Sequence, residues 1–191
     1  MAFSILKILC LRFSSATVNA CFNQGTNEQM TSSRNITIRP VKDSDAEALF
    51  TLVGDCFAEY DDVFLDRDDL DSDLKAYESY LRDLGGQGFV ALKGDQLVAS
   101  VACAPSGENT FELKRLYLSA VLRGTGMGLT LLKTVEGVAR KAGATHMDAW
   151  SDTRFLRAHR FYEREGYVRG PETRDLNDIS NSVEYYFIKP L

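Results

Sequence analysis

Histidine and cysteine are scarce in this sequence, and their scarcity limits the metal and disulfide chemistry open to it. Among 191 residues there are only two histidines, too few for a histidine-rich metal site. The four cysteines include no C-x-x-C pair; they are Cys10, Cys21, Cys56 and Cys103. Free thiols in a reducing compartment fit this pattern better than a disulfide framework does. We therefore expect no metal site and a cytoplasmic location.

An excess of positive charge is also absent. The chain has 22 Lys and Arg against 27 Asp and Glu, a formal net charge of −5. This balance lacks the electrostatic signature of a nucleic-acid-binding protein. The apolar segment of residues 1–13 is interrupted by Lys7 and Arg12 and is too short to span a bilayer. We expect neither a nucleic-acid partner nor a membrane partner.

Residues 1–33 differ in composition from the rest of the chain. No Asp or Glu occurs between Met1 and Asn27, and residues 14–33 are rich in Ser, Thr, Asn and Gln without an apolar period. Such a composition is typical of an organelle transit peptide. A start site placed too far upstream is the alternative, because Met30 is a second potential start. We predict that residues 1–33 are an extension outside the fold, disordered or used for targeting, and that residues 34–191 form the domain.

From Ile36 onward the apolar pattern predicts regular elements in the order β-α-α-β-β-β-α-β-α-β. This order indicates an α/β or α+β fold with a mixed sheet. The predicted strands are 36–39, 89–92, 97–103, 111–118, 145–151 and 183–188. The predicted helices begin near Asp43, 70, Met127 and Thr153, and end near Glu59, 84, Ala142 and Glu165.

The strand over 111–118 carries a one-residue slip in its apolar phase. Phe111 and Leu113 alternate, and the apolar positions then move to Leu116 and Leu118. In a half-buried strand such a slip predicts a β-bulge. A plain strand with a surface basic pair remains the alternative.

A glycine-rich segment, Arg123-Gly-Thr-Gly-Met-Gly128, joins this strand to the following helix. Glycines at such a junction let a ligand approach the backbone, and the free N–H groups of the first helical turn then face it. This pattern predicts a phosphate or pyrophosphate site. Leu129 excludes the G-x-G-x-x-G dinucleotide fingerprint, and Leu132 excludes a P-loop. A glycine-rich turn without a ligand is the alternative.

This segment, R-x-x-G-x-G, resembles the acetyl-CoA pyrophosphate loop of the GNAT superfamily of N-acetyltransferases. The later segment Ala158–Tyr167 is similar to the A-x-x-x-Y-x-x-x-G-[FY] segment of the same family. The resemblance covers about residues 36–191. It implies a GNAT-like fold, whose central sheet is twisted, mixed and mostly antiparallel with helices on both faces.

The resemblance also implies a co-substrate, acetyl-CoA, and a set of residues that bind it. Backbone groups of the bulged strand would contact the pantetheine arm, and the glycine loop would hold the pyrophosphate. The residues implied are Leu116, Tyr117, Leu118, Arg123, Gly124, Thr125, Gly126, Met127 and Gly128. The sequence departs from the family at Phe155, where many members carry an asparagine that contacts the pantetheine arm.

Two residues are implied as catalytic groups. Glu112 lies where some family members carry a glutamate that acts as a base through water. Tyr162 is the expected proton donor to the leaving thiolate. A solvated strand carboxylate and a ring packed on the sheet are the respective alternatives.

The resulting functional hypothesis is an N-acetyltransferase in which a primary amine attacks acetyl-CoA directly in a ternary complex. The acceptor would be a small molecule or a peptide, and the protein a monomer or homodimer. The acidic stretch from Glu59 to Asp73 favours a cationic acceptor. Two alternatives remain: a non-catalytic acyl-CoA-binding or sensing module on the same fold, and an unrelated phosphate- or nucleotide-binding regulatory domain.

Overall fold

One sheet organises the computed structural model, which describes residues 36–191. Its strands are β1 (Ile36–Pro40), β2 (Gln87–Lys93), β3 (Gln96–Gly107), β4 (Thr110–Leu118), β5 (His146–Asp152), β6 (Val168–Asp175) and β7 (Val183–Pro190). Their spatial order is β1-β2-β3-β4-β5-β7-β6. Only β4 and β5 pair in parallel within this sheet, which confirms the prediction of a mixed, mostly antiparallel arrangement. The prediction for residues 1–33 lies outside the described residues.

Helices cover both faces of the sheet, as the resemblance implied. They are α1 (Ala46–Phe57), α2 (Tyr77–Asp83), α3 (Met127–Lys141) and α4 (Leu156–Arg164). Neighbouring residues of a strand point to opposite faces, and Val90 and Ala91 of β2 accordingly belong to two separate cores. Val90 packs with α1 and α2, whereas Ala91 belongs to the core that contains α3 and α4.

Two elements differ from the sequence-based prediction. The helix predicted from residue 70 begins as a 3₁₀ turn over Ser72–Ala76, and the α-helix starts only at Tyr77. Strand β6 was not predicted. Its residues are almost all exposed and include Gly170-Pro171, so the segment has neither the alternation nor the composition of a buried strand. It forms because its backbone pairs with β7 at the sheet edge.

The predicted bulge in β4 is confirmed. Ser100 of β3 pairs with Tyr117 and Ala102 pairs with Lys114, so two residues of β4 lie opposite one of β3. Arg115 at the bulge has a left-handed backbone, with φ of 51°. The Ser100 hydroxyl donates a hydrogen bond to the Arg115 carbonyl at 2.8 Å. The bulge keeps Leu116 packed against the same core as the residues before it.

Within residues 36–191 no helix combines the length and apolar character needed to cross a membrane.

Candidate active site

Strands β4 and β5 separate partway along their length. Their parallel register runs from Thr110 paired with His146 to Leu113 paired with Ala149. Beyond this point β4 continues along β3 alone, while β5 continues along β7 as far as Asp152. Alternate N–H and C=O groups of the last residues of β4 therefore face a gap instead of a strand. The predicted pantetheine contacts, Leu116, Tyr117 and Leu118, lie along this gap.

The glycine loop lies at the N-terminus of α3. Gly124 and Gly126 have φ of 76° and 87°, a left-handed backbone that side-chain-bearing residues rarely adopt. The first hydrogen bond of the helix runs from the Thr130 N–H to the Gly126 carbonyl at 3.0 Å. The N–H groups of residues 127–129 precede that bond and have no carbonyl within the helix to receive them.

The space in front of this loop is open. A Cβ atom added at Gly124 or Gly126 would meet no atom within 4 Å. The first turn of α3 contains no acidic residue, so no carboxylate of the helix itself repels an anion there. Thr125 is exposed, but its hydroxyl already donates to the Leu122 carbonyl at 2.7 Å. Backbone N–H groups, rather than the Thr125 hydroxyl, can therefore hold an anion at this helix end.

Arg123 of the loop is held by a carboxylate from the segment after α1. Its Nη1 lies 2.7 Å from Glu59 Oε2, and its Nη2 lies 2.5 Å from Glu59 Oε1. Arg157 of α4 reaches the same carboxylate at 3.2 Å. Hydrogen bonding from Arg123 lowers the pKa of Glu59. Two guanidinium groups thus share one carboxylate beside the glycine loop.

Tyr162 lies on the inner face of α4, with only 7% of its surface exposed. Its ring contacts Phe187 and Tyr167, with centroids 5.5 and 5.6 Å away. Burial raises the pKa of its phenol, and the charge of Glu184 raises it further. The raised pKa makes the phenol a weaker acid than a free tyrosine, so its hydroxyl is suited to stabilise a thiolate by donating a hydrogen bond.

An open cleft of about 720 Å³ lies on the α1 and α2 side of the sheet. Leu113 and Trp150, from either side of the point where β4 and β5 separate, both line it. Glu112 also lines the cleft, and its carboxylate accepts a hydrogen bond from Lys114 at 2.7 Å. The candidate base therefore lies in the cleft but already has a cationic partner.

Two further carboxyl groups near Glu112 were missed in the sequence. Asp148 pairs with Glu112 in the β4–β5 register, and Glu184 of β7 lies in the cleft wall. Burial is the largest cause that raises the pKa of each group, and the charge of Glu112 adds to both shifts. Asp148 could have been found from the sequence, because alternation along β5 places Asp148, Trp150 and Asp152 on one face of the sheet.

The acidic stretch does not present all its charges to solvent. Asp71 and Asp73 form ion pairs with Arg115 at the bulge, at 2.5 and 2.6 Å. Asp68 pairs with Lys75 at 2.8 Å, and Glu59 pairs with Arg123 as described above. Four of the eight carboxylates therefore have cationic partners, although Asp71 and Asp73 share one arginine, and this weakens the argument that the stretch attracts a cation by its net charge.

Phe155, the departure from the family pattern, is part of an aromatic wall. Its ring lies 5.9 Å from that of Phe57 and 4.6 Å from that of Tyr60, and it lines the cleft. The adjacent Arg154 donates to the carbonyls of Asp62 at 2.8 Å and Ser180 at 3.2 Å. Arg154 thus joins the segment after α1 to the β6–β7 connection, and both segments border the cleft.

Comparisons with known proteins agree with this geometry. The family model described as Acetyltransferase (GNAT) family matches residues 47–167. N-acetyltransferase 8B of Rattus norvegicus is 32% identical over 97 residues, 48% of this chain and 44% of the relative. N-acetyltransferase 8 of the same organism is 38% identical over 73 residues, 36% of this chain and 33% of the relative. The chain thus matches less than half the length of either curated relative.

Solved structures share the fold at low sequence identity. A GNAT-family acetyltransferase from Staphylococcus aureus has a TM-score of 0.71 at 20% identity, covering 82% of this chain and 99% of that one. An acetyltransferase from Streptococcus agalactiae has a TM-score of 0.70 at 22% identity, covering 83% and 99%. The PaiA N-acetyltransferase of Thermoplasma acidophilum, in complex with coenzyme A, has a TM-score of 0.61 at 18% identity, covering 82% and 99%.

The sheet, the separated strands and the glycine loop define an acetyltransferase-type fold. The family model covers more than half of the chain, and the chain belongs to the acetyltransferase (GNAT) family.

Proposed function

We propose that this protein is an N-acetyltransferase that transfers an acetyl group from acetyl-CoA to a primary amine in a ternary complex. One observation carries the proposal: β4 and β5 separate between the glycine-loop end of α3, whose first turn has no acidic residue, and an open cleft. Because the strands separate, the co-substrate can reach the gap from one face of the sheet and the acceptor from the other. Direct attack requires such an arrangement, because both molecules must be bound at once.

Acetyl-CoA, when bound, supplies an acetyl group activated as a thioester. The residues along the gap fit its shape and charge. Backbone groups of Leu116, Tyr117 and Leu118 would bind the pantetheine arm as a strand would, and the loop from Arg123 to Gly128 would bind the pyrophosphate. The open space at Gly124 and Gly126 supports this assignment, as does the coenzyme A complex of a structural neighbour.

Two side chains would handle protons. A lysine-like amine has a pKa of about 10.4, so only about one part in 2,500 is neutral at pH 7. Glu112, which lines the cleft, would accept the proton that the amine must lose. Tyr162 would donate a hydrogen bond from the α4 side to the leaving thiolate, which a proton then converts to the thiol. Coenzyme A would then leave as the thiol.

We assign this activity to residues 34–191. The compact unit Asn35–Leu191 and the family match at 47–167 support that boundary. Residues 1–33 are proposed as an extension that is not needed for acetyl-CoA binding.

A screen of amine acceptors with detection of released thiol tests the proposed function. We expect acetyl-CoA-dependent thiol release with at least one primary amine and none with the matching tertiary amine, which cannot form a neutral amide. Binding of acetyl-CoA without thiol release for any amine would indicate an acyl-CoA-binding module. No affinity for acetyl-CoA would contradict both functions.

A further inference from the structure

A cation is held between an aromatic ring and two carboxylates in the wall of the cleft. The guanidinium of Arg174 on β6 lies 4.5 Å from the ring centroid of Trp150 on β5. Its Nε donates to Glu184 Oε2 on β7 at 2.6 Å, and its Nη2 lies 4.0 Å from Glu112 Oε1 on β4. Four strands thus contribute one residue each to a cation-binding arrangement.

The two carboxylates lie on inner strands of the sheet, β4 and β7, whereas Arg174 lies on the edge strand β6. The side chains of Glu112 and Glu184 are only 18% and 15% exposed, while that of Arg174 is 42% exposed. Two sheltered carboxylates on one strip of sheet repel one another unless a cation lies between them. Trp150 supplies a third, uncharged attraction through the face of its ring. Tyr186, which pairs with Trp150 across β5 and β7, packs its ring beside the indole with centroids 5.0 Å apart and the two planes tilted by 50°.

The two neighbouring cationic side chains, Lys114 and Arg154, are engaged elsewhere and do not take the position of Arg174. Lys114 bonds Glu112 Oε2, leaving Oε1 toward Arg174. Arg154 is committed to Asp152 and to the loop carbonyls. The edge strand β6 pairs with β7 at Arg174 but has no strand on its other side among the described residues. Arg174, on the edge strand and the most exposed of the three charged side chains, is therefore the member of the arrangement best able to leave the cleft.

We propose that Trp150, Glu112 and Glu184 form a binding subsite for a positively charged group of the acceptor, whose place Arg174 takes when no acceptor is bound. The ligand class is an organic ammonium or guanidinium, on a small molecule or a peptide side chain. Naming the ligand as the acceptor rests on the proposed acetyltransferase function. Exchange of one cation for another leaves the carboxylates neutralised throughout, so Arg174 lowers the apparent affinity without exposing buried charge.

The chain contains a single tryptophan, so its fluorescence reports this subsite alone. The full chain is titrated with butylguanidinium and, separately, with butylurea, which has the same shape without the charge. Neither compound carries a primary amine that could be acetylated. We expect a saturable change in Trp150 fluorescence with butylguanidinium and none with butylurea. Equal responses to both compounds, or no response to either, would overturn the subsite.

Variants test the role of Arg174. Arg174→Ala should bind butylguanidinium at least fivefold more tightly, because the competing side chain is gone. Glu184→Gln should bind it at least fivefold more weakly, and Arg174→Lys should resemble the parent. Arg140→Ala, which removes an arginine from α3, controls for the loss of one positive charge. An unchanged affinity in Arg174→Ala, or an equal gain in Arg140→Ala, would refute the competition.

Calorimetry of acetyl-CoA binding on the same proteins separates this proposal from the proposed function. Acetyl-CoA binding and amine acetylation without a butylguanidinium response would overturn the subsite and leave the acetyltransferase in place. A charge-selective response without acetyl-CoA affinity would support the cation subsite and refute the acetyltransferase.

Discussion

Arg123 and Glu59 form a two-pronged ion pair, at 2.7 and 2.5 Å, although 64 residues separate them in the chain. The pair joins the glycine loop to the segment after α1. It also places a negative charge beside the proposed pyrophosphate site, so Glu59 and the pyrophosphate would compete for the same guanidinium.

Removal of this carboxylate should therefore strengthen co-substrate binding. In Glu59→Gln we expect acetyl-CoA to bind about two- to fivefold more tightly in 20–50 mM salt, a gain of the size that partly exposed ion pairs contribute. Calorimetry measures it, and the gain should shrink as salt screens the charges. Glu47→Gln is the control, because it removes an exposed carboxylate on α1 that pairs with Arg67 and not with the glycine loop. Weaker binding in Glu59→Gln would show that the carboxylate orients Arg123 instead.

Two substitutions at Gly126, to Asp and to Asn, test the anion site because they differ in charge but not in size or backbone preference. Asp and Asn have the same size and both tolerate the left-handed conformation that Gly126 adopts. Only Asp adds a negative charge to the mouth of the loop. We expect Gly126→Asp to bind acetyl-CoA about tenfold more weakly than Gly126→Asn, a difference of about 1.4 kcal/mol. Equal affinities of the two variants in calorimetry would show that the pyrophosphate does not bind at this loop.

Tyr162→Phe should separate chemistry from packing. The ring contacts with Phe187 and Tyr167 remain, and only the hydroxyl is lost. If the hydroxyl donates a proton, kcat should fall by about 100-fold while the affinity for acetyl-CoA stays within a factor of two. Single-turnover rates of thiol release measure the effect. A kcat equal to that of the parent would leave Tyr162 with a packing role.

The role of Glu112 as a base predicts a pH signature. Glu112→Gln should lower the rate most at a pH well below the pKa of the amine, where few acceptor molecules are neutral. The deficit should narrow as pH rises and the free amine accumulates. Rates of parent and variant from pH 6.5 to 9.5 measure the ratio. A ratio that stays constant over this range would argue against base catalysis by Glu112.

The raised pKa of Asp148 predicts the direction in which a substitution there changes the free energy of unfolding. Burial, and then the charge of Glu112, raises its pKa in the folded chain above the ordinary value of 3.8. The folded state then holds its proton more tightly than the unfolded state, so stability is lost as pH rises through the folded pKa. Asp148→Asn should therefore increase the free energy of unfolding at pH 7. Urea unfolding at pH 7 and pH 3.5 checks this, because the difference should shrink strongly where the group is mostly protonated in both states.

The glycine loop, the bulge and most of the element order could be predicted from local sequence. Each depends on a preference that neighbouring residues reveal: glycines at positive φ, a slip in apolar phase, or a helical period. Strand β6 could not be predicted in this way, because its exposed residues follow no period and only the edge of β7 gives its backbone a partner. The 3₁₀ turn before α2 is likewise held from outside, by the ion pairs of Asp71 and Asp73 with Arg115.

The sequence by itself determined the fold family and the place of the glycine loop, since both depend on motifs of a few adjacent residues. Only the tertiary structure decided which charges meet. Glu112, Trp150, Arg174 and Glu184 are spread over more than 70 residues, and strand pairing brings them to one patch of the cleft wall. Arg115 and Arg123 similarly neutralise part of an acidic stretch that the sequence presents as free charge. Coulomb interactions depend on distance in space, and distance along the chain does not determine it.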